Sequence, residues 1–186
     1  MSRAILALED GSLFVGNSFG FKKEVSGEVV FNTGMVGYPE ALTDPSYFGQ
    51  ILVQTYPLIG NYGVPRKEKT DSNILKKFES ERIQVRGYII HELCENPSHY
   101  SSEKDLDEWL REEKIPGIYG IDTRELTKIL RVKGTMLGLI KFFEDGFNEE
   151  ELREEVKNIQ DPNKTNLVEK VSPKKPIIHE SKGKYR

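Results

Sequence analysis

The chain has 186 residues, 37% hydrophobic and 31% charged, with 16 Gly and 9 Pro. That is enough apolar material for one packed domain, or one domain with a tail, without the bias of a disordered or collagenous chain. Its 27 basic and 30 acidic residues leave a net charge of -3, which argues against a nucleic-acid partner held by an overall positive field, and its single cysteine, Cys94, excludes an internal disulfide or a multi-thiolate metal site.

Ala4–Glu9 and Ser12–Gly16 read as two strands joined at Asp10-Gly11, the pattern of a type I′ hairpin turn. Glu28–Asn32, Gln50–Thr55, Ile83–His91 and Met136–Phe143 are further strands, rich in β-branched and aromatic residues. Arg66–Arg82 is a mixed-charge stretch after a Gly/Pro-rich segment and reads as a long mobile loop.

Three helices follow. In the first, Leu106, Trp109 and Leu110 share a face after Ser102 as N-cap. In the second, Asp122 caps with Glu125, the stripe is Leu126, Ile129 and Leu130, and Gly134 supplies a left-handed stop. The third opens at Asn148 with Glu151 three residues on, Phe147 stapling onto Leu152 and Val156 and Ile159 extending the face. The fold class is therefore α/β in the mixed α+β sense, strands first and about three later helices, with the helices on one side of the sheet. Residues 1–160 form the domain. From 161 to 186 the balance turns to +4, with Pro173 and Pro176, the composition of a linker or extended tail.

The catalytic inventory is short. Cys94 has no activating neighbour in sequence and reads as a half-buried structural thiol. A pair with His91 or His99 is the alternative, each histidine otherwise reading as partly exposed. His179 lies in the solvated tail. No H-E-x-x-H helix or C-x-x-C pair occurs, so no metal site is assigned. Gly60-Asn61-Tyr62-Gly63 lacks the Lys-Ser/Thr of a phosphate loop and reads as a turn. The acids Glu149, Glu150, Glu151, Glu154 and Glu155 suit the start of a helix and a solvated face. With no approach to the ~20 apolar residues of a membrane span and no secretory signal at the start, the expected location is the cytoplasm.

The run Gly27–Tyr47, centred on Gly34-Met35-Val36-Gly37-Tyr38-Pro39-Glu40-Ala41-Leu42-Thr43-Asp44-Pro45-Ser46-Tyr47, closely resembles the signature of the small chain of glutamine-hydrolysing carbamoyl-phosphate synthase. Leu8-Glu9-Asp10-Gly11, Thr55–Gly63 and Gly120–Arg131 follow in the family's order. The resemblance covers residues 4 to about 140 and implies the family's N-terminal domain, a swivelling β/β/α-type fold. That domain is followed in the family by a glutaminase domain with a Cys–His–Glu triad, which this chain stops short of, as a fragment or one half of a split subunit. Cys94 matches no glutaminase position, so no catalytic residue is carried over.

What the resemblance implies is a docking domain that binds the large synthetase chain, walls the glutaminase site and supports delivery of glutamine-derived ammonia for pyrimidine and arginine biosynthesis. ATP and Mg would act on the large chain, with no cofactor in this one. One position transfers by motif, Ser46 as a contact to glutamine, beside its ordinary reading as a hydroxyl steadying the turn after Pro45. The loop Val64–Phe78 is longer than the family's usual connection, and no role is carried onto Arg66, Lys67 or Lys69. The competing readings are a stand-alone small-molecule binding module, with a closed pocket formed by Thr33–Ser46 and Gly60–Gly63, and an independent hydrolase using Cys94 and a histidine.

Overall fold

A computed structural model describes residues 2–178. His179 lies outside the described residues. In chain order the elements are β1 (Arg3–Leu8), β2 (Leu13–Gly20), β3 (Val25–Asn32), α1 (Tyr38–Thr43), β4 (Gln50–Gln54), β5 (Leu58–Ile59), β6 (Val64–Pro65), β7 (Gly87–Ile89), β8 (Glu92–Leu93), β9 (Ser102–Lys104), α2 (Leu106–Glu112), β10 (Pro116–Tyr119), α3 (Thr123–Lys133), β11 (Met136–Phe143), α4 (Glu149–Lys157) and α5 (Leu167–Val171). The 3-10 turns Pro45–Tyr47 and Pro162–Lys164 lie between them.

Seven strands close into a barrel in the order β1-β11-β3-β4-β7-β10-β2. Within it β3, β4, β7 and β10 run parallel to one another, while β1, β2 and β11 join by antiparallel pairs. The alternation of side chains along a strand divides the apolar residues into three cores. Ala4, Leu6, Leu8, Val29, Ile51, Val53, Ile89, Ile118 and Ile140 fill the barrel, and Leu126 and Leu130 of α3 join them as a plug over one end. Leu52, Tyr88 and Phe19 point outward under Tyr38 and Leu42 of α1 and Leu106, Trp109 and Leu110 of α2. Ile5, Ala7 and Leu139 pack outward under Leu152 and Val156 of α4. Strand β1 is apolar at every position from Ala4 to Leu8 because both of its faces are covered.

The helices thus surround the barrel instead of lying on one side. A sheet closed on itself has an inside and an outside to bury, so one layer of helices cannot cover it. The sequence reading misses α1 and β10 altogether. It also draws one long strand over Ile83–His91 where only Gly87–Ile89 pairs.

The β1–β2 connection pairs as foreseen but is not type I′. Gly11 N–H donates to the Leu8 carbonyl and Leu8 N–H to the Ser12 carbonyl, with Gly11 at φ 88. This is a three-residue loop, a type I turn followed by a left-handed glycine. Helix α2 is capped by Asp105, whose carboxylate accepts from Glu108 N–H at 2.8 Å, and Ser102 instead belongs to β9. The other two caps stand: Asp122 accepts from Glu125 N–H and Asn148 from Glu150 and Glu151 N–H. Gly134 ends α3 at φ 90, ψ -169, a glycine conformation outside the left-handed helical region. The Phe147 ring lies 4.9 Å from that of Phe143, which fixes the entry to α4.

The stretch 66–82 is drawn as a small hairpin, not an open loop. Thr70 N–H donates to the Ile74 carbonyl and Lys76 N–H to the Glu68 carbonyl. Ion pairs Arg66–Glu103, Lys67–Glu113, Lys69–Glu81 and Lys76–Glu68 join it to itself and to neighbours. The anchoring force is apolar: Phe78 is buried with its ring edge-on to Trp109 at 5.7 Å, since exposed ion pairs each contribute under about 1 kcal/mol.

Candidate functional site at the crossover from β3 to β4

Parallel strands cannot be joined by a tight turn, so the chain leaving Asn32 must cross the barrel's outer face before entering β4. That crossover contains the signature run. Its path is fixed by a relay of polar groups beginning on a buried side chain. Tyr88 Oη donates to Gln54 Oε1 at 3.4 Å and Gln54 Nε2 donates to the Gly34 carbonyl at 2.6 Å. Gly34 N–H donates to Asn32 Oδ1 at 2.7 Å, and Asn32 Nδ2 to Tyr47 Oη at 3.2 Å. Gln54 is buried, and a buried amide without partners is costly, so these bonds specify one loop conformation.

Helix α1 is held from outside by the second signature segment. Tyr62 Oη accepts from the N–H groups of Gly37 and Tyr38 at 2.7 and 3.1 Å, while Tyr38 Oη donates to the Gly63 carbonyl. The two rings stack with centroids 4.3 Å apart. Burial, with Tyr62, Cys94 and Glu40 nearby, pushes the Tyr38 hydroxyl far above its ordinary range. Burial also raises Tyr62 against the lowering effect of its two backbone bonds. Both are neutral hydroxyls at physiological pH, suited to hydrogen bonding and not to proton abstraction.

The crossover turns two groups outward. Met35 and Val36, 66% and 75% exposed, crown the loop at the carboxyl ends of the parallel strands. Ser46, exposed, lies in the 3-10 turn, where its N–H donates to Asp44 Oδ1 at 2.8 Å. The turn is steadied by the Asp44 carboxylate, which leaves the Ser46 hydroxyl at the surface. The C-terminal segment returns to this neighbourhood: Gln160–Lys170 border a pocket of about 290 Å3 with Phe48 and Gly49, and Asn163 Nδ2 reaches Glu28 Oε1 at 3.5 Å. Residues 160–170 therefore lie beside Phe48, two positions along the chain from Ser46.

Cys94 is half-buried, its N–H donating to the Ile59 carbonyl at 2.8 Å. Neither neighbouring histidine bonds to it. His91 Nδ1 lies 2.8 Å from the Ile121 carbonyl oxygen and His99 Nδ1 lies 2.7 Å from Ser101 Oγ. The Gly60–Gly63 segment is a turn, Gly63 N–H donating to the Gly60 carbonyl at 2.9 Å. The sequence reading places Thr33–Ser46 and Gly60–Gly63 near each other only as walls of a possible pocket. The structure brings them together with stacked rings between them. The helical stretch Tyr38–Thr43 had its own signal, Pro39 in the first turn with Glu40 after it.

A family model described as the carbamoyl-phosphate synthase small chain, CPSase domain, matches residues 6–140, from within β1 to within β11 and through every element of the crossover. The chain belongs to this small-chain family. It is 49% identical over 185 residues to the carbamoyl phosphate synthase small chain of Pyrococcus furiosus, covering 99% of this chain and 49% of that one. To the small chain of Sulfolobus acidocaldarius it is 52% identical over 175 residues, 94% of this chain and 45% of that one. To the multifunctional protein CAD of Squalus acanthias it is 52% identical over 183 residues, 98% of this chain and 8% of that protein. The chain spans about half the length of the separate small chains it matches.

The matched residues include the crossover, Tyr38 and Tyr62. No helix among the described residues is long and apolar enough to cross a membrane.

Proposed function

We propose that this chain acts as the N-terminal docking domain of the small subunit of a glutamine-hydrolysing carbamoyl-phosphate synthase. It binds the large synthetase chain and supports transfer of ammonia released from glutamine by the glutaminase half. ATP and Mg act on the large chain, and the ligase activity belongs to the assembly. The carrying observation is the small-chain family match over residues 6–140, on a chain spanning about half of such small chains.

Two structural features support the reading. Met35 and Val36 are apolar side chains held in solvent by a loop whose backbone is fixed from beneath, as suits a surface covered by a partner. Ser46 is exposed two positions from Phe48, which lines one pocket with residues 160–170, so a glutaminase half joined to that segment would lie near it. Ser46 then supplies one hydrogen bond to glutamine at the edge of a pocket built by that half.

The stand-alone binding module needs an open concavity between the Tyr38 and Tyr62 segments, and the ring stacking at 4.3 Å fills that space. The hydrolase reading needs a Cys94–histidine contact, and both histidines bond elsewhere. Reconstitution tests the proposal: this chain, a glutaminase half and the large chain are mixed, and glutamine-dependent carbamoyl phosphate is measured. Omitting this chain should abolish the glutamine-dependent rate while leaving the rate with free ammonia. An unchanged glutamine-dependent rate would refute the role.

A further inference from the structure

At the barrel end opposite the α3 plug, where β3, β4, β7 and β10 begin, a cleft of about 620 Å3 is bordered by three separate segments, Lys23–Ser26, Arg82–Arg86 and Glu113–Ile115, together with Phe48. Four cations line it, Lys23, Arg82, Arg86 and Lys114, against the carboxylates of Glu24 and Glu113, on a chain whose net charge is -3. Glu113 pairs with Lys67 at 3.6 Å, and Glu24 is the other carboxylate facing the cations. Arg86 Nη1 donates to the Ser26 carbonyl at 2.8 Å, which orients it across the cleft's edge. Among the described residues Lys23, Arg82 and Lys114 form no ion pair. Between them lie the half-buried side chains of Phe48 and Ile115, over the buried Ile83 and Val85.

Two further observations set this cleft apart from a solvated basic face. Gln84, which also lines it, is 8% exposed and its Oε1 is buried without a hydrogen-bond partner; the amide nitrogen is already committed to Ser80 Oγ at 2.8 Å. Such an acceptor is normally satisfied by a protein group, a water or a ligand. Lys114 sits at φ 59 just past α2, a left-handed position where glycine is the usual residue. A lysine there complements the helix's carbonyl end, but Lys23 and Arg82 follow no helix and have no such explanation.

We propose that this cleft binds a phosphate monoester carrying a flat apolar body, as a nucleotide does. The cations from three segments face a multiply charged head group, and Phe48 and Ile115 take the ring. The site lies at the opposite end of the parallel strands from the Met35 loop and does not depend on the docking role.

The test is titration of the 15N-labelled chain with a nucleoside monophosphate, ribose 5-phosphate and inorganic phosphate, followed by backbone amide shifts. The nucleotide should saturate at millimolar concentration or tighter, moving Ser26, Gln84, Arg86 and Ile115, with ribose 5-phosphate and phosphate weaker by about tenfold. The variant Arg82→Ala/Lys114→Gly should weaken nucleotide binding several-fold with no fall in thermal midpoint, because glycine relieves the left-handed position. Absence of saturation with all three probes, or unchanged affinity in the folded double variant, would overturn the site. Equal affinity for phosphate and nucleotide would overturn the role of the apolar floor.

Discussion

Tyr38 and Tyr62 hold one another reciprocally. The Tyr62 hydroxyl accepts from the first N–H groups of α1, and the Tyr38 hydroxyl donates to the carbonyl next to Tyr62. The two segments are 24 residues apart along the chain, and each is anchored by the other's aromatic residue. The latch is what turns the crossover from β3 to β4 into a rigid surface.

Removing the Tyr62 hydroxyl leaves two backbone N–H groups without their acceptor. Tyr62→Phe is expected to lower stability by about 1–3 kcal/mol, read from the shift of a urea midpoint. Tyr38→Phe should cost less, since the carbonyl it releases has a second lone pair. A double-mutant cycle should show coupling between the two, and strict additivity would mean that the latch is not a unit.

The same pair sets an alkaline limit. Both hydroxyls have folded-state pKa values above the ordinary tyrosine range, chiefly through burial. Above about pH 10 the unfolded chain loses these protons first, so stability falls as pH rises from there toward the folded values. The urea midpoint should decline in that window, and the double variant Tyr38→Phe/Tyr62→Phe should show a shallower decline.

Asp10 operates at the opposite end of the scale. Burial raises its carboxyl, but the 2.6 Å bond to Lys133 and the bonds with Ser12 outweigh it, and the net shift is downward. Its contribution is present above the ordinary aspartate value and is lost as pH falls through the folded one. With Lys133 half-exposed, the contribution is below about 1 kcal/mol. Asp10→Asn should remove that share of the acid-side loss while leaving the alkaline decline intact.

Leu126 is fully buried where α3 plugs the barrel. Leu126→Ala is expected to cost about 2–5 kcal/mol, with Leu130→Ala alongside it. A loss below about 1 kcal/mol in denaturant unfolding would show that the plug relaxes into the space.

Ser46→Ala should leave stability unchanged, because the turn is held by Asp44. In a reconstituted assembly it should raise the concentration of glutamine needed for half-maximal rate while leaving the ammonia-driven rate alone. An unchanged glutamine requirement would remove Ser46 from the proposed pocket.

The sequence made part of this legible. The caps Asp122 and Asn148 and the stripes on α2, α3 and α4 are local patterns, and local patterns survive into the fold. β11 was readable from Met136 to Phe143 as a short apolar run ending in Ile140, Phe142 and Phe143. Barrel closure was not readable, because strand order is decided by long-range pairing such as Ile118 with Ile89 and Met136 with Val29. β10 was hidden by its Pro-Gly start, and α1 by its brevity. At the site, the signature residues stood out as a resemblance, but the reciprocal bonding of Tyr38 and Tyr62 depends on two loops meeting across the outer face of the barrel. The cleft lined by Arg82, Arg86 and Lys114 draws on residues that look like ordinary surface charge in sequence.

The proposed role rests on docking of this chain to the large synthetase chain. Calorimetric titration of the purified chain against the cognate large chain, at two salt concentrations, tests it directly. Saturable one-to-one binding is expected, weakened when Met35 and Val36 are both replaced by serine. No heat and no saturation in either salt, with the chain folded, would contradict it.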